Sequence, residues 1–224
     1  MNSIVISIGG SVLFSDDATR SYLNKFVRIC TTISKNNHLF LVVGGGKPAR
    51  EYIKRGRFLE FSERDLDELG ILVTRINALF LTKLFDNTNT AIPSSIEDAS
   101  QFQDRIVIMG GTTPGHSTDF VGAELAARTR ASKYIIATNV DGIFDKDPNK
   151  YEDAVMYPEI RIDALLNKYG SSWNAAGSNI VIDGPALKQI AAAKIDTVVI
   201  NGKKLDELEH VLSDKSFCGT KIKL

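Results

Sequence analysis

Cysteine is scarce in this 224-residue chain: Cys30 and Cys218 stand far apart with no CxxC pair, so a disulfide framework is excluded and both read as free thiols. Histidine is equally sparse. His38, His116 and His210 lack ligand spacing, so no protein-borne metal site is expected, and any metal would arrive with a phosphorylated substrate. Charge of either sign in excess is missing too, 27 Lys and Arg balancing 27 Asp and Glu. No global field draws the chain to nucleic acid or to an acidic membrane, neither is expected as a partner, and positive potential for a phosphate must be local. No apolar run approaches the length of a membrane span, and the first residues read as a strand rather than a basic region leading into an apolar stretch. A cytoplasmic protein is the expectation.

With 43% hydrophobic and 24% charged residues, the chain has the composition of a globular protein with one sizeable core. Its most informative stretch is Gly44-Gly45-Gly46-Lys47-Pro48-Ala49-Arg50, where three glycines close an apolar strand over 39–43 and proline opens a helix. Glycines let backbone N–H groups approach an anion, a helix N-terminus adds partial positive charge, and Lys47 and Arg50 bring full charges nearby. Two other apolar strands end the same way: 4–8 runs into Gly9-Gly10-Ser11, and 106–109 runs into Gly110-Gly111-Thr112-Thr113-Pro114-Gly115-His116-Ser117-Thr118-Asp119. In an open α/β sheet ligands bind outside the carboxyl ends of the strands, so these loops are expected to converge on one crevice.

Apolar periodicity predicts helices over 20–34, 47–57 and 63–84, the last with a broad stripe of Leu66, Leu69, Val73, Ile76, Leu79, Phe80 and Leu84. Further helices are expected over 119–131, 161–169, 185–194 and 205–212, and strands over 134–138 and 197–200, with a last edge strand from Thr220. Residues 87–99 read as a short strand or loop with a turn of helix, and 145–153 as an exposed charged loop. Alternation of strand and helix implies a largely parallel sheet covered on both faces.

Taken in order, Gly9-Gly10-Ser11, the triple glycine with Lys47 and Arg50, Asp67 with Gly70, Thr74-Arg75-Ile76-Asn77-Ala78, the 110–119 run, and Thr138-Asn139-Val140-Asp141-Gly142 with Asp147-Pro148 resemble the amino acid kinase family, and within it the archaeal uridylate kinases. The resemblance extends over nearly all of the chain. It implies a three-layer α/β/α sandwich forming one domain over 1–224, with a UMP-binding half near 1–130 and an ATP-binding half near 131–224. It implies transfer of the γ-phosphate of ATP to UMP, giving UDP and ADP in pyrimidine nucleotide biosynthesis, with Mg²⁺ carried by ATP. Phosphoryl transfer asks for in-line positioning and neutralised charge more than for covalent chemistry, and glycine loops suit that demand.

By the same resemblance, Gly9, Gly10 and Ser11 lie along the transferring phosphate and the ATP tail, Gly45 touches UMP, Gly46 faces ATP, and Arg50 neutralises charge between them. Asp67 accepts from the UMP ribose, while Thr112, Thr113, Pro114, Gly115, His116, Ser117 and Thr118 wrap base and phosphate. Thr138, Asn139, Phe144 and Asp147 hold adenine and ribose, Phe144 standing where the family usually has tyrosine. Asp119 reads equally as a helix cap or a ligand contact, and Arg75 and Asn77 as holding their helix or facing another subunit. Many superfamily members carry a lysine two residues before the first glycine pair; here that position is Ser7. Lys47 and Lys188 are candidates to replace it beside Gly10 and Arg50, and Asp183 is a candidate to orient a lysine, to hold Mg²⁺ through water, or to cap a helix. A homohexamer built from dimers is also implied, the 63–84 stripe serving as dimer surface. The alternatives within this fold are another acceptor, such as isopentenyl phosphate or carbamate, and a non-catalytic nucleotide-binding protein.

Overall fold

The computed structural model describes residues 1–15, 18–171 and 181–224. Its centre is a sheet in which β1 (Asn2–Ile8), β2 (Asn37–Val43), β3 (Ile106–Met109) and β4 (Lys133–Thr138) lie parallel in the order β3-β2-β1-β4. β5 (Glu159–Arg161), β6 (Thr197–Asn201) and β7 (Thr220–Lys223) extend it past β4 in the order β6-β7-β5. β6 is parallel to β4, β7 runs antiparallel to β6, and β5 parallel to β7. The inner strands are apolar almost throughout, as strands buried on both faces must be.

Two cores follow from the side-chain alternation along those strands. Ile4, Ile6, Ile8, Leu39, Leu41 and Val43 pack against α2 (Arg20–Ser34), α4 (Glu63–Thr82) and α9 (Leu205–Leu212). Val5, Phe40, Val42, Val107 and Met109 face α5 (Ile96–Gln101), α6 (Thr118–Arg128), α7 (Ile162–Tyr169) and α8 (Gly184–Ala193). A four-residue turn, α1 (Gly10–Leu13), follows β1, and α3 (Gly46–Phe58) lies on α4 through Ile53 and Leu66. The expected three-layer α/β/α sandwich is what forms.

Differences from expectation are local. β1 and β2 each begin two residues earlier than the apolar runs, α4 ends at Thr82, and residues 87–95 form no strand. The C-terminal strand is not an edge strand: β7 lies between β6 and β5, and β5 occupies residues 159–161, where the helix was expected to begin at Arg161. Three residues with an exposed–intermediate–exposed pattern carry no readable periodicity, so only pairing with β7 makes β5 a strand.

The chain steps from β1 to β2 to β3 in one direction and then returns to place β4 on the other side of β1. That reversal makes the ends of β1 and β4 the crevice of the sheet.

Candidate active site

A cavity of about 570 Å³ opens over the carboxyl ends of these strands. Around it stand the N-caps of four helices: Gly9 for α1, Gly45 for α3, Ser117 for α6 and Asp183 for α8. Backbone N–H groups at helix starts present partial positive charge, and of these Ser117 and Asp183 already take the Asp119, Phe120 and Ala186 amides of α6 and α8.

Gly10 and Gly46 must be glycine for steric reasons. A Cβ on Gly10 would lie 2.3 Å from the amide nitrogen of Gly46 and 2.4 Å from the carbonyl oxygen of Gly44, and Gly46 has φ of +65°. The first two glycine loops therefore touch backbone to backbone, a contact no side chain permits.

α4 sets these loops in place. Asn77, buried in the middle of the helix, donates through Nδ2 to the carbonyl oxygens of Gly44 (2.8 Å) and Gly45 (3.2 Å). Thr74 Oγ1 accepts from the Gly111 amide at 2.7 Å, and the Arg75 guanidinium donates to the carbonyl oxygens of Gly111, Thr112 and Ser94 at 3.0, 3.0 and 3.2 Å. The Thr74-Arg75-Ile76-Asn77 motif is thus a splint for two loops, and Arg75 and Asn77 hold loops as well as helix. Nearer the helix start, Asp67 Oδ2 accepts from the Gly115 amide at 2.7 Å, which ties the 110–118 loop down at the cavity wall.

Ser7, on β1, is 1% exposed and donates through Oγ to Oδ1 of the cavity residue Asp119 at 2.5 Å, while the Tyr134 hydroxyl donates to the Asp119 carbonyl at 2.8 Å. Desolvation lifts the Asp119 carboxyl to about 7 and the nearby Asp183 carboxylate adds to the rise, against the Ser7 hydrogen bond that lowers it. Asp119 is not the cap of its helix. Ser117 is, accepting from the amides of Asp119 and Phe120 and donating to Asp183 Oδ2. Asp183 in turn caps α8 by accepting from the Ala186 amide at 2.9 Å. On the far side, Asp141 accepts from Asn201 Nδ2 and pairs with Lys204, contacts that hold its carboxyl below the usual range and fasten the β4 loop to β6.

Of the residues singled out from sequence, Gly9, Gly10, Ser11, Gly45, Gly46, Arg50, Asp67, His116, Ser117, Thr118, Thr138, Asn139, Phe144, Asp147 and Asp183 all line this one cavity. Thr112, Thr113, Pro114 and Gly115 are not among the lining residues; the Thr112 carbonyl accepts from Arg75, and Thr113 lies against His116 at 3.0 Å. Lys47 and Lys188, the candidates to replace the strand lysine, are not among its lining residues. On α3, Lys47 shares an outward stripe with Glu51 and Lys54 while Ala49 and Ile53 turn inward; on α8, Lys188 is exposed while Ala186, Leu187 and Ile190 are buried.

Among the described residues, the Lys and Arg side chains that do line the cavity are Arg50, Lys146 and Lys168. Sequence reading missed the last two. Lys146 pairs with Asp153 at 2.6 Å and Lys168 donates to the carbonyls of Phe144 and Asp145, so both also shape the loop that follows β4. The signal for Lys146 was its place directly before Asp147-Pro148; for Lys168, on a separate helix, no local signal exists.

The description "Amino acid kinase family" matches residues 2–201. A uridylate kinase of Thermoplasma volcanium is 40% identical over 222 residues, covering 98% of this chain and 97% of the relative, and one of Methanocaldococcus jannaschii is 43% identical over 204 residues, covering 89% and 90%. The crystal structure of uridylate kinase from Archaeoglobus fulgidus superposes with a TM-score of 0.86 at 37% identity, each chain covered completely. Glycine-ended parallel strands around one cavity, together with these end-to-end likenesses, show that the chain belongs to the amino acid kinase family.

Proposed function

We propose that the protein is a uridylate kinase that transfers the γ-phosphate of ATP to UMP, giving UDP and ADP, as a step of pyrimidine nucleotide biosynthesis in the cytoplasm. The carrying observation is that the residues assigned to the acceptor, Asp67, His116 and Thr118, and those assigned to the donor, Thr138, Asn139, Phe144 and Asp147, share one cavity with the glycine loops. The names of the relatives from three archaea support the same reading. Asp67 suits vicinal ribose hydroxyls, because a carboxylate accepts several donors and keeps capacity beyond its bond to Gly115.

UMP offers a phosphate oxygen as nucleophile, so the site needs no strong base and works through alignment and charge. ATP enters with its Mg²⁺ as the substrate complex. The negative charge of the two nucleotides meets the N-termini of α1, α3, α6 and α8 together with Arg50, Lys146 and Lys168, which offsets the serine at position 7.

The assembly is a homo-oligomer, a hexamer built from dimers. Ile76 is 64% exposed and Leu72 56% exposed on α4, beside Leu79 and Phe80, and such an apolar face on a long helix fits a second copy of the chain.

The test is ADP formation from Mg-ATP with UMP, CMP, dUMP, isopentenyl phosphate, carbamate or no acceptor. Turnover confined largely to UMP is expected, with kcat/KM lowered at least about 100-fold in Asp67→Ala, since a site built around a substrate hydroxyl loses much when its partner is removed. Turnover with a different acceptor, or with none of them, overturns this reading.

A further inference from the structure

Ser117 stands in the acceptor-side loop, yet its hydroxyl has nothing left to offer a nucleotide. A hydroxyl has one proton to donate and two lone pairs. The proton goes to Asp183 Oδ2, and the lone pairs accept from the amides of Asp119 (3.1 Å) and Phe120 (3.0 Å). Asp183, 8% exposed, uses its other oxygen to cap α8 at the Ala186 amide. The two helix starts are therefore joined by one chain of bonds: the α6 amides to Ser117, Ser117 to Asp183, and Asp183 to the α8 amide. Both caps face the cavity, and Asp119, the second residue after Ser117, is bonded to Ser7 on β1.

Resting on the kinase reading above, we propose that Ser117 is a positioning residue that acts through Asp183, setting the distance and angle between the N-termini of α6 and α8 against the transferring phosphate. Those helix starts supply fixed partial charge, which helps only when it is aimed before the reaction begins. Shifting one of them weakens the transition state while leaving the ground-state contacts of UMP and ATP largely in place.

The experiment compares wild type with Ser117→Ala, Ser117→Gly and Ser117→Thr. Glycine removes the hydroxyl but is tolerated at an N-cap, so it keeps a folded protein under test where alanine fails, and threonine keeps the hydroxyl. Melting curves establish folding. In Ala and Gly variants kcat is expected to fall about tenfold or more with both KM values within about twofold of wild type, and Thr is expected to restore most of the loss. A raised KM for UMP at unchanged kcat would make Ser117 a direct ligand and overturn the proposal, as would unchanged kinetics. Amide hydrogen exchange in the first turn of α8, measured without nucleotide, gives a readout independent of activity. Faster exchange in Ala and Gly variants, reversed in Thr, is expected even if wild type turns over no UMP, which sinks the kinase reading alone; unaltered exchange sinks the link.

Discussion

Ser7 and Asp119 show how a residue is read differently by its neighbours than by its chain. Ser7 occupies a strand position where the superfamily often has a cation, and in this protein it donates to a carboxyl that desolvation has lifted to about 7. An aspartate in an unfolded chain titrates near 4, so the folded state binds this proton more tightly than the unfolded one. Below about pH 4 both states are protonated and Asp119 adds no penalty; between about 4 and 7 stability falls as the unfolded state alone ionises, and above about 7 the full cost stands. Asp119→Asn removes the titration. Relative to wild type it is expected to gain on the order of 4 kcal/mol in urea unfolding at about pH 8, and almost nothing at about pH 4. An offset of equal size at both pH values contradicts the assignment. Lys188 illustrates the same scale from the other side: attractive by its closeness to Asp183 in sequence, it projects to solvent because the buried face of α8 is formed by Ala186, Leu187 and Ile190.

Among the elements, α4 does more than cover the sheet. A capping box at Ser62 and Asp65 starts it, Asp67 bonds the 110–118 loop from its second turn, and Thr74, Arg75 and Asn77 hold that loop and the triple glycine from its middle. Three helical turns thus fix the spacing between the triple-glycine loop and the 110–118 loop. Replacing Asn77 tests this. Asn77→Ala leaves buried carbonyls unpaired and is expected to cost about 1–3 kcal/mol. Asn77→Asp is expected to cost more, because an acceptor then faces two acceptors. Urea midpoints order the variants, and equal stability of Ala and Asp forms would show that the two bonds carry no weight. The broad apolar stripe predicted for this helix divides in the structure: Leu66 and Val73 go into the core, while Ile76, Leu79 and Phe80 stay exposed, Phe80 against Phe14 at 5.5 Å between ring centroids.

At the scale of the whole molecule, that exposed face is the surface on which the inferred assembly depends. Ile76→Asp puts a charge on it without touching the cores, and light scattering is expected to show a smaller particle than wild type. An unchanged mass moves the subunit contact elsewhere. The sandwich and the position of its cavity were legible in the chain because both rest on local pattern. Apolar runs with helices between them produce parallel pairing, and glycines after strands 4–8, 39–43 and 106–109 mark loops that the order β3-β2-β1-β4 sets side by side. Most candidate residues lay in those loops and so arrived at the cavity together. Other features depend on contacts between distant segments. Lys168 reaches the cavity from α7, β7 is enclosed by a three-residue β5, and Ser117 spends its hydroxyl on Asp183, 66 positions away. By itself the sequence determined most of the elements, β5 excepted, their alternation and the loops that carry the site, since spacing and backbone freedom are properties of neighbouring residues. Only the tertiary structure decided which charges face the cavity and which hydroxyls remain free, since sheet order and helix rotation aim each side chain at partners far along the chain.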